Sequence, residues 1–341
     1  MVAFRDALQT ARNSRQRRKF PKDCDPRAFD GLLFPIFKPK FPMHFEGSLV
    51  FTIGSCFARN IEEALQPYGV DLPTMDFTVP EAEYQYRTNG LLNEYNPGTM
   101  NQRILFALNG KDYPTETIVP AGDLYVDLLL HGGEPVTFER AIARRKEIAA
   151  VYEKLSSADL VVITLGMIEV WFDKETGLYL NQMPPSHFAE AQPDRFEFKR
   201  LDVFDCMRLL EEACLALTQA GLKILLTVSP VPLQTTFSGR DCIVANEFSK
   251  SVLRVVAERL ASRQKIDYFP SYEIVRSGGL GSFVTDHIHV KPRVVEQVTG
   301  YMLSAYLGAR DNSGSGTVSE SAVGHRFDVE RTGQRDAAVD Q

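Results

Sequence analysis

The chain has 341 residues, of which 44% are hydrophobic and 24% charged, a composition typical of a globular protein with a sizeable core. A formal net charge of -6 gives no reason to expect nucleic-acid or anionic-membrane binding through bulk charge. The five cysteines include no C-x-x-C pair, which argues against a disulfide framework or structural zinc and indicates a reducing, cytoplasmic location. No apolar run approaches the roughly 18 residues of a transmembrane helix.

Residues 1–45 are predicted to form an arm that packs on the main domain. The arm carries basic clusters and then a Pro-rich stretch at 34–39, where each proline lacks an N–H and restricts its neighbour. The basic start is not followed by the apolar stretch of a secretory signal. The aromatic residues expected to contact the domain are Phe34, Phe37, Phe41 and Phe45.

From residue 46 to 308, apolar strand patterns alternate with helical patterns. The expected strands are 49–53, 159–165, 223–228 and 266–270, and the expected helices are 58–67, 138–157, 203–220, 243–262 and 293–307. In the helix at 243–262, the apolar residues that recur at helical spacing are Phe248, Val252, Val255, Val256 and Leu260. Near-continuous apolar strands indicate a parallel sheet covered on both faces, so we expect a doubly wound α/β domain.

Two segments fall outside this alternation. Residues 170–200 are rich in prolines and aromatics, and we expect an irregular insertion over the active edge of the sheet. Residues 309–341 are polar and begin with a Gly/Ser-rich stretch, so we expect a disordered tail.

The turn Gly54-Ser55-Cys56 joins the first strand to a helix. Ligands of open α/β sheets bind outside the carboxyl ends of the strands, and helix N-termini favour negative charge. A cysteine placed there is expected to have a lowered pKa, whereas a serine needs a separate base. The alternative is a buried cysteine beside an ordinary Gly-Ser turn.

Near the end of the domain, Asp286 precedes His289 by three residues. A carboxylate at this spacing can fold back onto the imidazole and hold the tautomer whose other nitrogen acts as a base. The alternatives are ordinary loop histidines or a zinc site at His287-x-His289. We predict no metal, because no further His/Cys cluster lies nearby in the sequence.

Several blocks together resemble the GSCFA family. Residues 51–58 read FTIGSCFA, and the later blocks are EYNPG at 94–98, TLGMIEVW at 164–171, TVSPVP at 227–232, FPSYE at 269–273 and Asp286-x-x-His289. The resemblance spans about residues 35–305. That family is similar to the SGNH/GDSL hydrolases, which implies a three-layer, flavodoxin-like parallel sheet and activity on acyl esters.

The resemblance places the catalytic roles, with two departures. Aligning glycine on glycine puts Cys56 at the nucleophile position and Ser55 at that of an aspartate, and a shift of one residue would reverse the two. Gly166-Met167-Ile168-Glu169 stands where Gly-x-Asn is usual, so the oxyanion-binding amide is missing and Glu169 would repel an oxyanion. Glu169 is instead expected to orient His289 or a substrate hydroxyl, and the remaining oxyanion or substrate-binding candidates are Gly54, Asn96, Gly98 and Gly166.

The first functional hypothesis is an acyl-transfer enzyme, either an esterase or an O-acyltransferase acting on an acylated carbohydrate or acyl-CoA. It would use Cys56 or Ser55 with His289 and Asp286, no cofactor, and acyl-CoA as a possible donor substrate. The alternative is a non-catalytic module that binds a glycan or nucleotide on the same fold. A Rossmann protein is disfavoured, because no G-x-G-x-x-G follows the first strand. Neither a nucleic-acid partner nor a membrane span is expected, and no oligomeric state is predicted.

Overall fold

A computed structural model describes residues 2–308. Its strands are β1 (Ala28–Phe29), β2 (Leu32–Leu33), β3 (Val50–Gly54), β4 (Ile118–Ala121), β5 (Leu124–Asp127), β6 (Leu160–Leu165), β7 (Glu169–Asp173), β8 (Leu178–Leu180), β9 (Phe196–Arg200), β10 (Lys223–Val228) and β11 (Ile266–Tyr268). Its α-helices are α1 (Phe4–Asn13), α2 (Cys56–Leu65), α3 (Pro73–Asp76), α4 (Pro97–Leu108), α5 (Phe138–Glu153), α6 (Ser186–Glu190), α7 (Val203–Gln219), α8 (Cys242–Leu260), α9 (Ser271–Ser277) and α10 (Pro292–Gly308).

The central sheet is parallel, with the strand order β11-β10-β6-β3. An isolated parallel bridge between Leu49 and Asp71 continues the pairing beyond β3. The chain therefore starts in the middle of the sheet, runs first to one edge and then to the other, which is the flavodoxin-like order. The predicted fold class, a doubly wound parallel sheet with flavodoxin-like strand order, is confirmed.

Helices cover both faces of this sheet and give the expected three layers. Side chains of β3, β6 and β10 alternate between two buried clusters. The larger cluster joins one face to α4, α5, α7 and α8. The other face packs on α2, α9 and α10. Because β3 and β6 are neighbours whose crossovers run to opposite sides, their carboxyl ends flank the switch point at which such folds bind ligands.

The N-terminal residues pack on the second cluster. Phe41 and Phe45 are buried in it, and Phe34 and Phe37 lie against its edge. Regular structure nevertheless occurs in this arm: α1 is an exposed helix, and β1 and β2 form a short antiparallel pair.

Residues 170–200 differ from the irregular insertion that was expected. They contain most of a three-stranded antiparallel sheet of order β8-β7-β9, followed along the chain by α7. The register pairs Glu169 with Arg200 and Trp171 with both Leu180 and Phe198. Pairing of these strands satisfies backbone groups that an irregular loop would leave to water. We call this unit the flap. The predicted tail at 309–341 lies outside the described residues.

Within residues 2–308, no helix is both long and apolar enough to cross a membrane.

Candidate active site

The turn after β3 depends on a glycine. Gly54 has φ of 146°, and a Cβ there would lie 2.5 Å from the carbonyl oxygen and 2.8 Å from the amide nitrogen of Thr164 on β6. Only glycine adopts this backbone so close to a neighbouring strand. The turn therefore delivers Ser55 and Cys56 at the carboxyl edge of the sheet.

Ser55 and Cys56 have different surroundings. Ser55 is 2% exposed, and its Oγ donates to Ser229 Oγ at 2.9 Å and accepts from the N–H of Phe57 as the cap of α2. Cys56 is the first residue of α2, is half-buried, and lines a cavity. Both side chains border this cavity, and Ser55 Oγ is additionally held by the helix cap and by Ser229.

The expected lowering of the Cys56 pKa is wrong in direction. Burial raises the pKa of the Cys56 thiol, and the positive charges of Arg87 and Lys250 and the N–H of Phe57 offset only part of that effect. Loss of water around the thiolate therefore outweighs the helix N-terminus. A reaction at Cys56 needs a proton acceptor.

Asp286 and His289 form a pair in a tight loop. Asp286 Oδ1 accepts from the N–H groups of Ile288 at 2.8 Å and His289 at 3.0 Å, and Oδ2 lies 2.5 Å from His289 Nδ1. The imidazole and backbone donors of His289, with the N–H of Ile288, lower the pKa of Asp286 to about 2. The carboxylate therefore fixes Nδ1 and leaves Nε2 for proton transfer, and His289 lines the same cavity as Cys56.

Two candidate oxyanion residues have distinct places. Asn96 caps α4 by accepting the N–H of Thr99 through Oδ1 at 2.9 Å, which leaves its Nδ2 as a donor, and Asn96 lines the cavity. Gly98 does not line the cavity; a Cβ there would overlap the ring of Tyr179. The structure therefore gives Gly98 a packing role and places Asn96, with its Nδ2 donor, at the border of the cavity.

Gly166 also borders the cavity. A Cβ at this position would lie 2.7 Å from the carbonyl oxygen of Tyr95, which accepts the N–H of Met167 at 2.8 Å. The carbonyl oxygen of Gly166 accepts a hydrogen bond from Lys250 Nζ at 2.6 Å. Gly166 thus allows the chain after β6 to pass closely by the segment that carries Asn96.

The expected contact of Glu169 with His289 is absent from the described part of the chain. Glu169 is 6% exposed; its Oε1 accepts from Thr236 Oγ1 at 2.6 Å and its Oε2 from the N–H of Phe237 at 3.0 Å. Glu169 therefore fastens the loop at 236–238 beside the flap. Donors to both oxygens satisfy the hydrogen-bonding needs of this buried carboxylate.

The cavity has a volume of about 350 Å³ and one aromatic wall. Trp171 and Phe198 of the flap lie with ring centroids 5.5 Å apart, and Phe237 lies 5.3 Å from Trp171. Cys56, Asn96 and His289 border the same space. The cavity therefore offers apolar contact area together with donors and a proton carrier.

The pattern analysis missed Lys250, which is 1% exposed on α8 and lines the cavity. Its Nζ donates to Gly166 O, and burial lowers its pKa to about 7 despite the opposing charges of Cys56 and Glu247. The sequence did hold a signal: Lys250 shares helical spacing with the buried Leu253, Ala257 and Leu260. By contrast, Phe248 and Val255, expected in the apolar stripe, are 40% and 50% exposed.

A second missed residue is His131. Its ring centroid lies 4.3 Å from that of Tyr95, its Nδ1 lies 3.2 Å from Asn181 O, and it borders the cavity. Burial lowers the pKa of His131, so it favours the neutral imidazole. Nothing adjacent in the sequence distinguished this histidine from the others.

No cluster of three or more His, Cys, Asp or Glu side chains suited to a metal ion occurs among residues 2–308.

The protein is thus a doubly wound α/β protein in which the thiol of Cys56, the amide of Asn96 and the imidazole of His289 line one cavity. The GSCFA family model matches residues 49–301, and the chain belongs to the GSCFA family. The family prediction is confirmed. No curated protein matches the sequence.

Solved structures show distant likenesses. A GDSL-like lipase from Bacteroides thetaiotaomicron is 12% identical, covers 77% of this chain and 89% of its own, and has a TM-score of 0.39. An aryl esterase from M. smegmatis is 12% identical, with 78% and 99% coverage and a TM-score of 0.31. An acetyl-xylooligosaccharide esterase from Geobacillus is 12% identical, with 84% and 99% coverage and a TM-score of 0.32. At these scores the function has to be argued from the site itself.

Proposed function

We propose that the protein is an acyl-transfer enzyme that cleaves an ester or thioester through Cys56. The observation that carries this proposal is the shared cavity of Cys56, the Asn96 amide and the His289–Asp286 pair. Each supplies one requirement of acyl transfer: a nucleophile, a donor for the oxyanion and an oriented proton carrier.

In this mechanism, His289 Nε2 accepts the thiol proton while Cys56 Sγ bonds to the carbonyl carbon. Asn96 Nδ2 donates to the oxygen that becomes negative. Collapse of the tetrahedral species breaks the bond to the leaving oxygen or sulfur, which takes the proton from His289. The acyl-cysteine then passes its acyl group to water or to an acceptor hydroxyl, with His289 again accepting the proton.

The aromatic wall is a suitable surface for a sugar ring or an acyl chain, so we propose an acylated carbohydrate or acyl-CoA as substrate class. All five cysteines are free in the structure, which is compatible with the proposed cytoplasmic location. The protein would need no cofactor, because the nucleophile and proton carrier are side chains.

The test is to locate an acyl group by peptide mass spectrometry after incubation with p-nitrophenyl acetate or acetyl-CoA. We expect an adduct on Cys56 that is lost in Cys56→Ala and slowed in His289→Ala. Cys242→Ala is the matched control, because Cys242 also begins a capped helix but does not line the cavity. An adduct on Ser55 that is lost in Ser55→Ala would transfer the nucleophile role to Ser55.

The absence of adduct and of turnover with every acyl donor would contradict the proposal. The aromatic wall would then favour the second candidate, a non-catalytic glycan-binding module. That function requires ligand affinity unchanged in Cys56→Ala and His289→Ala.

A further inference from the structure

Lys250 is a buried lysine without a carboxylate partner in the described chain. Its Nζ makes one hydrogen bond, to the carbonyl of Gly166 at 2.6 Å, and the side chain is 1% exposed. An uncompensated ammonium is costly to bury, because the protein replaces water poorly around it. Packing alone therefore gives no reason to retain a lysine at this point of the apolar stripe of α8.

The position of Lys250 supplies a reason. Lys250 and Cys56 border the same cavity from α8 and α2, and each contributes to the electrostatic environment of the other. The ionisable groups with a charge effect on one of the two or close to them are Glu247 on α8, Arg87 and Tyr84 in the segment after α3, and Tyr95 before α4. Glu169, His131 and His289 border the same cavity.

Most of these neighbours are neutral or already engaged. Glu247 forms an ion pair with Arg276 at 3.1 Å. Arg87 forms an ion pair with Glu63 at 2.8 Å near the surface. Burial keeps the pKa of Tyr84 and Tyr95 above the ordinary value, so both phenols stay uncharged near neutral pH. Of the two cations that favour a negative charge at Cys56, Arg87 has the larger effect but lies near the surface beside Glu63, whereas Lys250 is buried at the cavity.

We infer that Lys250 is the counter-ion of the Cys56 thiolate. The inference rests on the proposed function, in which Cys56 Sγ must lose its proton before it bonds to the acyl carbon. His289 takes that proton, and the negative charge left on sulfur holds a proton on Lys250 Nζ.

Lys250 is in these terms a positioning residue, since it acts on the reaction through Cys56. The hydrogen bond to the Gly166 carbonyl holds Nζ of Lys250 at the wall of the cavity. A nearby opposite charge can lower the pKa of an acidic group by about one unit or more while that charge is present. Removal of Lys250 should therefore reduce the thiolate fraction about tenfold at a pH at which Lys250 is mostly protonated.

The test measures alkylation rather than turnover. Iodoacetamide is added to the full-length protein between pH 6 and pH 10, and the rates at Cys56 and at the exposed Cys24 are read separately by peptide mass spectrometry. In Lys250→Met we expect the Cys56 rate to fall about tenfold near pH 6.5, where Lys250 is mostly protonated, and by less as the pH rises above about 7. Cys24 is the internal standard, and Lys265→Met, an exposed lysine far from the cavity, is the control for net charge.

An unchanged Cys56 profile in a folded Lys250→Met protein would overturn the inference. A shift that Lys265→Met reproduces would also overturn it, because a general charge effect would then suffice. Acyl-adduct formation by the unaltered protein is scored in parallel. A shifted alkylation profile without any adduct would reject the acyl-transfer function but keep the ion pair, whereas an adduct without a shift would reject Lys250 alone.

Discussion

Lys250 should make the stability of the protein depend on pH in a predictable way. Its pKa falls from 10.5 to about 7 on burial. Between these values the unfolded chain binds more protons than the folded chain, so the contribution of Lys250 to the free energy of unfolding rises with pH. Below about pH 7 the folded protein carries the buried charge and the full cost is present.

The magnitude follows from that drop in pKa. Burial of Lys250 lowers the free energy of unfolding, and the difference in proton binding between the unfolded and folded chains makes this cost about 2–3 kcal/mol larger at pH 6 than at pH 9. Lys250→Met removes this term, and it also leaves the Gly166 carbonyl without its donor, a loss of about 1–3 kcal/mol that does not depend on pH. The substitution should therefore be more favourable to stability at pH 6 than at pH 9 by about 2–3 kcal/mol.

Urea unfolding at the two pH values, followed by fluorescence of the single tryptophan, Trp171, measures this difference. Lys265→Met is again the control and should show no such dependence. A difference between Lys250→Met and the unaltered protein that is the same at pH 6 and pH 9 would refute the reasoning. It would mean that Lys250 stays charged in the folded state.

Three further predictions concern the turn, the pair and the flap. Gly54→Ala should lower the free energy of unfolding by at least about 3 kcal/mol, since strain at φ of 146° adds to a steric clash; an unchanged urea midpoint would contradict this. Asp286→Asn keeps the backbone-accepting Oδ1 but turns a donor toward His289, so turnover of an ester should fall about 10²–10⁴-fold with little change in the urea midpoint. His287→Asn is its control. Ester turnover by Asp286→Asn within about threefold of the unaltered protein would exclude the pair from catalysis. Glu169→Ala should raise proteolysis at 236–238, because both accepted hydrogen bonds are lost; unchanged cleavage would mean that the carboxylate does not hold this loop.

The sequence predicted the central sheet well because its strands are buried on both faces. The apolar run at 223–228 coincides with β10, and the runs at 49–53 and 159–165 lie within one residue of β3 and β6. Such strands are recognised without any knowledge of their partners. The expected helices end within about four residues of the observed ones, since helical periodicity extends over several turns.

The flap was harder to predict because its strands are short, and prolines and polar residues interrupt the pattern between them. Each strand there is five residues or fewer and is only partly buried, so strict alternation is weak. What defines the flap is the pairing of Trp171 with residues on two other strands. Pairing across such separations is a tertiary property that local propensity does not contain.

Within the site, the sequence identified groups whose partners are close along the chain. Asp286 and His289 are three residues apart, and their contact could be expected from spacing alone. Glu169 could not be interpreted in this way, because its partners lie 67 and 68 residues further on. The sign of the Cys56 pKa shift was also out of reach, since it depends on how much water the folded chain removes from the thiol.

Glu169 and Lys250 together suggest how this site handles negative charge. A carboxylate at the usual amide position would oppose an oxyanion, but its two oxygens are bound by the loop at 236–238. An ammonium held by Gly166, in the same sequence block, provides the opposite charge inside the cavity. A neutral amide needs no such balance, so the glutamate and the buried lysine form one arrangement: the first orders the loop beside the cavity, and the second favours charge on the thiol. If that arrangement is correct, replacing Lys250 should damage Cys56 chemistry more than replacing Glu169, although Glu169 occupies the position where a hydrolase amide was expected.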